Sequence, residues 1–180
     1  MDIKKEKIIR EKYTQGHKRN LPVKYFVVHG TGGGRNANNL LAWMRNPNKT
    51  QQSRYRRGIA LFHYLIDRDG TVIEIIDPHR WVYHCSIGKM DAGTIGVELM
   101  NPNRDNRYRY TDEQYKSLVD LFNHLKAKFP LQEIFSHRYA KQVIRGFKRK
   151  NCPGNFDWKR FADMLEEKTE NKDVDCLKIL

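Results

Sequence analysis

Imidazole nitrogen and thiolate sulfur are good zinc donors, and the chain offers both in His29, His137 and Cys152. Three such donors leave a fourth coordination position for water, the pattern of catalytic rather than structural zinc sites. His29 stands at the end of an apolar run, residues 23–28, and His137 at the end of another, residues 133–136. Both runs read as strands, and in open α/β sheets ligands sit in the crevice beyond strand ends. Strand ends also hold a donor more rigidly than loops do. Cys152 precedes Pro153-Gly154, a pair that restricts the local backbone. The three are far apart in sequence and form no local motif of the Cys-x-x-Cys kind, so residue type and spacing alone leave open whether they meet. Of the seven histidines, His124 falls on a helical stretch and His17 in a basic one, and both read as structural or solvated.

The elements that must position these residues follow from periodicity. Residues 23–28 are β-branched and aromatic and predict a buried strand. Gly30-Thr31-Gly32-Gly33-Gly34 follows as a loop. It lacks the Lys-Ser/Thr ending of a phosphate-binding loop, and no Gly-x-Ser-x-Gly elbow occurs in the chain, so it reads as a flexible groove rim. Residues 36–45 carry Leu40, Leu41 and Met44 at helical spacing and stop before Pro47. Asp67-Arg68-Asp69-Gly70 between residues 61–66 and 71–76 is a hairpin signal. Residues 94–99 predict a strand. Residues 111–128 predict the clearest helix, with a Thr111–Gln114 capping box and a stripe of Tyr115, Leu118, Val119, Phe122 and Leu125. A final helix over 156–167 turns Phe161 and Leu165 inward. This alternation predicts an α/β fold: a single domain with a mixed central β-sheet flanked by α-helices, and the zinc site at the strand ends. A basic N-terminal arm over 1–20 and a polar tail over 169–180 bracket a domain at 21–168.

Composition narrows the classes. In 180 residues, 39% are apolar and 31% charged, as in an ordinary globular protein. No apolar run approaches the roughly 20 residues that cross a bilayer, so no transmembrane segment is expected. The first ten residues are charged throughout, which predicts no secretory signal peptide and synthesis in the cytoplasm. Three widely spaced cysteines argue against a disulfide framework. The net charge of +13 attracts polyanions such as nucleic acid, anionic membrane or cell envelope, with solubility alone as the bland alternative. No recognition helix or aromatic-basic strand signature supports a specific nucleic-acid partner.

Five motifs occur in order: Val27-Val28-His29-Gly30-Thr31, Phe62-His63-Tyr64-Leu65-Ile66-Asp67-Arg68-Asp69-Gly70-Thr71, Thr94-Ile95-Gly96-Val97-Glu98-Leu99, Ser136-His137-Arg138, and Cys152-Pro153-Gly154-Asn155-Phe156-Asp157-Trp158. Together they resemble the type-2 N-acetylmuramoyl-L-alanine amidases, a superfamily that includes peptidoglycan recognition proteins and phage lysozyme-type endolysins. The resemblance implies a Zn2+ ion on His29, His137 and Cys152, with bacterial peptidoglycan or muropeptides as substrate. It implies that Glu98 and Lys150 are catalytic and that His84 lies in the substrate groove. Several members carry a tyrosine where this chain has Phe62, which faces substrate without a hydroxyl to donate. Residues 138–150 hold Arg138, Lys141, Arg145, Lys148, Arg149 and Lys150 with no acid, and join two implied ligands. Arg138 and its neighbours are therefore expected beside the groove, gripping stem-peptide carboxylates, binding the anionic cell envelope, or simply solvated. A cysteine at the third ligand position favours an active enzyme over a binding-only module, and a monomer is expected. The setting stays open between a phage endolysin acting on the wall and a cytoplasmic muropeptide-recycling enzyme.

Overall fold

The computed structural model describes residues 1–6, 16–56, 61–145, 151–168 and 178–179. Along them run β1 (Lys4–Lys5), β2 (His17–Lys18), β3 (Tyr25–Gly30), α1 (Ala37–Arg45), α2 (Lys49–Arg56), β4 (Tyr64–Ile66), β5 (Val72–Glu74), β6 (Arg80–Trp81), α3 (Gly88–Ala92), β7 (Thr94–Leu99), α4 (Asp112–Lys126), β8 (Glu133–Ser136), α5 (His137–Arg145), α6 (Trp158–Lys168) and β9 (Lys178–Ile179). Seven strands form one sheet in the order β1-β5-β4-β7-β3-β8-β9. β4 and β5 are an antiparallel hairpin, whose turn is closed by Gly70 N–H donating to Asp67 O at 3.0 Å. β3 runs parallel to both β7 and β8. The sheet is therefore mixed, as the alternation of elements predicts.

Strand alternation decides which side chains reach the site. Phe26 and Val28 of β3, with Ile95, Val97 and Leu99 of β7, face the stripe of α4 and Phe161 and Leu165 of α6. Phe26 and Phe122 meet edge to face at 5.4 Å. Burying each such side chain contributes about 1.5–3 kcal/mol, so this face fixes the sheet. Val27 and Phe135 point to the other side, against Cys85, Ile87 and Ala140. His29 and Glu98, in phase with Val27 and Gly96, share that second side. At the start of α4 the box forms as the sequence implies: Thr111 Oγ1 accepts from Gln114 N–H, and Gln114 Oε1 from Thr111 N–H, both at 3.1 Å.

The structure adds α2, α3 and β6, which the sequence reading did not assign, and departs from that reading elsewhere too. β3 runs on through Gly30, so His29 lies within the strand rather than beyond it, because its ladder with β7 continues through the His29–Glu98 and Gly30–Leu99 pairs. Residues 137–145 are helical where a loop was expected. Ser136 Oγ accepts from Tyr139 N–H at 2.9 Å, and His137 and Ala140 are buried, so the start of this helix is capped and packed inward. Residues 146–150, and with them Lys150, lie outside the described residues. Finally, the expected N-terminal arm supplies β1, paired with β5, and β2, paired with β6.

Arg19 ties this segment to the domain. Its guanidinium donates to Pro78 O at 2.7 Å, Ala92 O at 2.6 Å and Thr94 O at 2.8 Å. Burial pulls its pKa down to about 10, still charged at neutral pH. Arg19→Ala is expected to cost about 3 kcal/mol, since three interior carbonyls lose a charged donor. The measurement is a shift in urea midpoint at unchanged slope. Arg19→Lys should recover little, because one ammonium cannot span three carbonyls. A midpoint equal to the parent's would mean the contacts contribute nothing.

Candidate metal centre

His29 and Glu98 are register partners on adjacent parallel strands, so the sheet itself sets them side by side. Glu98 Oε1 lies 3.9 Å from His29 Nδ1, with the carboxylate side chain 18% exposed. His137 opens α5 directly after β8. Its Nδ1 comes to 3.1 Å from His29 Nδ1. Cys152 Sγ is 4.0 Å from the same His29 nitrogen and accepts from Gly30 N–H at 3.4 Å. The three candidate donors thus converge within 4.8 Å of one another.

Tetrahedral zinc with bonds of about 2.0–2.1 Å to nitrogen and 2.3 Å to sulfur separates its donors by about 3.3 Å (N to N) and 3.6 Å (N to S). The observed spacings bracket these values, and the donor set of two imidazoles and one thiol suits the ion. The residues present fit a zinc ion.

What orients His29 lies behind it. Its Nε2 is 3.0 Å from His84 Nδ1, and His84 Nε2 is 2.7 Å from Thr94 Oγ1. Thr94 in turn donates to Asp91 O at 3.2 Å. Burial pushes the His84 pKa well below the usual histidine value, so the ring is neutral. The assignment consistent with this chain has His29 Nε2–H donating to His84 Nδ1 and His84 Nε2–H to Thr94, leaving the His29 Nδ1 lone pair facing the ligand cluster. The ring of His84 lies flat against β7 because residue 96 is glycine, where a Cβ would stand 2.5 Å from His84 Cγ. His84 was expected in the substrate groove. It does line the cleft, with its side chain only 1% exposed and both nitrogens turned to His29 and Thr94.

Two other side chains complete this layer. His63 accepts from Gly96 N–H at Nδ1 and donates from Nε2 to Arg80 O, each at 3.0 Å, with burial lowering its pKa to about 3. Cys85 Sγ lies 3.3 Å from His84 Nδ1 and forms a second donor group with His84 and His29 Nε2. Burial pushes its thiol pKa up, which keeps it protonated and a poor metal donor.

A cleft of about 520 Å³ opens over the centre, lined by His29, Glu98, His137 and Cys152 and walled by Phe62, Trp43, Tyr83, Arg54 and Arg104. Phe62 is where a groove residue was expected. Arg138 is not among the lining residues: its side chain is exposed, and its backbone N–H donates to Cys152 O at 2.9 Å. Sequence reasoning missed Trp43, Arg54 and Arg104. The signal for Trp43 was an aromatic on the polar face of α1, where it remains 52% exposed.

The model of the family described as N-acetylmuramoyl-L-alanine amidase matches residues 19–155. The chain belongs to that family. Solved structures similar to it include the endolysin N-acetylmuramoyl-L-alanine amidase LysCS from Clostridium intestinale URNW, at 19% identity and TM-score 0.64, covering 95% of this chain and 97% of that one. The Ph2119 endolysin from the Thermus scotoductus MAT2119 bacteriophage Ph2119 matches at 20% identity and TM-score 0.63, covering 91% and 99%. The bumblebee recognition protein PGRP-SA matches at 19% identity and TM-score 0.66, covering 92% and 96%. At such identities the likeness speaks for the fold, a single α/β domain with a mixed central sheet. No sequence match is found among curated proteins. For a member of the amidase family, peptidoglycan is the consistent substrate.

Proposed function

We propose that this amidase-family protein is an active zinc hydrolase that cleaves the amide between N-acetylmuramic acid and L-alanine, acting as a phage endolysin. The observation that carries the reading is the meeting of His29, His137 and Cys152 beside Glu98 on the floor of one cleft. Zinc held by the three donors would supply Lewis acidity to a water and to the amide carbonyl. Glu98 takes the proton of the attacking water and returns it to the leaving amine, the two halves of general acid–base catalysis. Lys150 would be the donor to the developing oxyanion, a contribution of roughly 3 kcal/mol when well placed. Phe62 supplies an apolar wall and no proton. Trp43 and Tyr83 offer flat faces for sugar or peptide, and Arg54 and Arg104 offer charge for stem-peptide carboxylates.

The endolysin reading rests on the phage relatives and on the net charge of +13, which suits an anionic wall. Among the described residues, no helix is long and apolar enough to cross a membrane. The test is digestion of intact sacculi and of soluble muropeptides by the native, chelated and zinc-restored protein, scoring new L-alanine amino termini. Zinc-dependent release from sacculi supports the proposal. Release from soluble fragments alone would favour a recycling enzyme, and binding without release a recognition module.

A further inference from the structure

We propose that Asn106 is a positioning residue of the metal centre, a side-chain clasp that sets the first and third ligands at coordinating distance. The inference rests on the reading of His29, His137 and Cys152 as a zinc site. His29 sits on a strand of the sheet and His137 opens a helix directly after one, whereas Cys152 lies in an irregular segment just after residues 146–150 and needs other anchors. The backbone of Arg138 supplies one. The rest come from the loop that follows β7, residues 101–110.

Asn106 is at the centre of that loop and 4% exposed. Its Oδ1 accepts from Gly32 N–H at 2.8 Å. Its Nδ2 lies 3.4 Å from Gly30 O and 3.3 Å from Asn151 O, donating to the residue after His29 and the residue before Cys152. One amide therefore spans both ligand segments. Its own carbonyl accepts from Asn155 N–H at 3.0 Å. Neighbouring bonds reinforce the join: Tyr110 Oη–H to Pro153 O at 2.6 Å, Asn155 Nδ2–H to Arg107 O at 2.6 Å, and Asn151 Nδ2–H to Asp105 O at 3.2 Å.

Fit around Asn106 is close enough to exclude side chains. A Cβ at Gly30 would stand 2.6 Å from Asn106 Oδ1, and one at Gly154 would collide with the Asn106 carbonyl. Asn106 itself has φ of 55°, a left-handed conformation that asparagine tolerates better than other side-chain-bearing residues. A residue that accepts this backbone and carries both a donor and an acceptor at its tip meets all three demands.

Outer partners of metal ligands typically change affinity by 10–100-fold when removed. Two variants separate the clasp from the turn. Asn106→Gly keeps the left-handed backbone and deletes the amide. Asn106→Asp keeps shape and acceptor but lacks the Nδ2 donor that joins the ligand segments. Full-length holoprotein is titrated with a chromophoric chelator to obtain zinc affinity. Cobalt(II)-loaded protein is examined for its thiolate-to-metal charge-transfer band, which reports the Cys152 bond directly. The expected result is a 10–100-fold loss of affinity in both variants, with a weakened or shifted band and parental circular dichroism. Parental affinity and band in either folded variant would overturn the proposal. If Asn106→Gly does not fold, Asn106→Asp carries the test alone. Failure of the zinc reading is distinguishable, since the parent protein would then bind no zinc and show no band.

Discussion

Glu98→Gln is expected to keep its zinc and lose about 10²-fold or more in kcat, the usual scale for a positioned general base. Glutamine preserves the shape and polarity of the side chain but cannot accept a proton at neutral pH. Position 98 is fixed by the pairing of β7 with β3, so the substitution should leave His29 where it is. KM should change little, because the lost interaction belongs to the transition state. Phe62 makes the test sharper. It lines the same cleft without a hydroxyl, so position 62 itself cannot take over the proton. Phe62→Tyr is the informative companion: a hydroxyl there adds activity if it reaches the carbonyl oxygen. Near-normal turnover in zinc-loaded Glu98→Gln would remove Glu98 from proton transfer and turn attention to Lys150.

Cys152→Ser should have the larger effect on the metal itself. A serine hydroxyl stays protonated at neutral pH and offers zinc a weak neutral oxygen in place of a thiolate. Loss of an inner ligand should exceed the roughly 10–100-fold that an outer partner costs, so dialysed protein should hold well under one zinc per chain and be inactive. Cys152→Asp restores an anionic donor and should regain part of the metal. Cys85→Ser is the control: Cys85 lies behind His29, on its Nε2 side, with its thiol held protonated by burial. It should retain zinc, whereas normal zinc and full activity in Cys152→Ser would take Cys152 out of the site. Elemental analysis and melting with and without metal read both variants, since zinc that binds only the folded state raises Tm.

Much of the frame was legible because it is written in local periodicity. Residues 94–99 alternate into β7 over the expected span, and Thr111 with Gln114 caps α4. α2 and α5 were not legible. Both are short and rich in basic residues, and among the described residues few of their side chains turn inward, such as Tyr55 of α2 and Ala140 of α5. The ligand trio could be nominated from donor types, yet its meeting depends on pairings far apart in sequence that no spacing encodes. The inward orientation of His84 was hidden for a different reason. A histidine that touches substrate and one that holds another histidine look alike until Gly96 and Thr94 are seen on either side. Asn106 was invisible for the same reason, as one polar residue in a polar loop.

The His29–Glu98 register makes the sheet a ruler. Parallel neighbours stand roughly 4.8 Å apart whatever the surrounding loops do, so the spacing between His29 and Glu98 is inherited from the backbone ladder. A slip of one residue would replace the carboxylate with Val97 or Leu99, and the apolar face of β7 against α4 forbids it. Division of labour follows between the two halves of the site. On the proposed reading, the rims around Trp43, Arg54 and Arg104 can be exchanged to change which wall chemistry is gripped, while the His29–Glu98 distance stays untouched. A grafting experiment that swaps those rims between family members should therefore alter substrate range without recalibrating the catalytic pair.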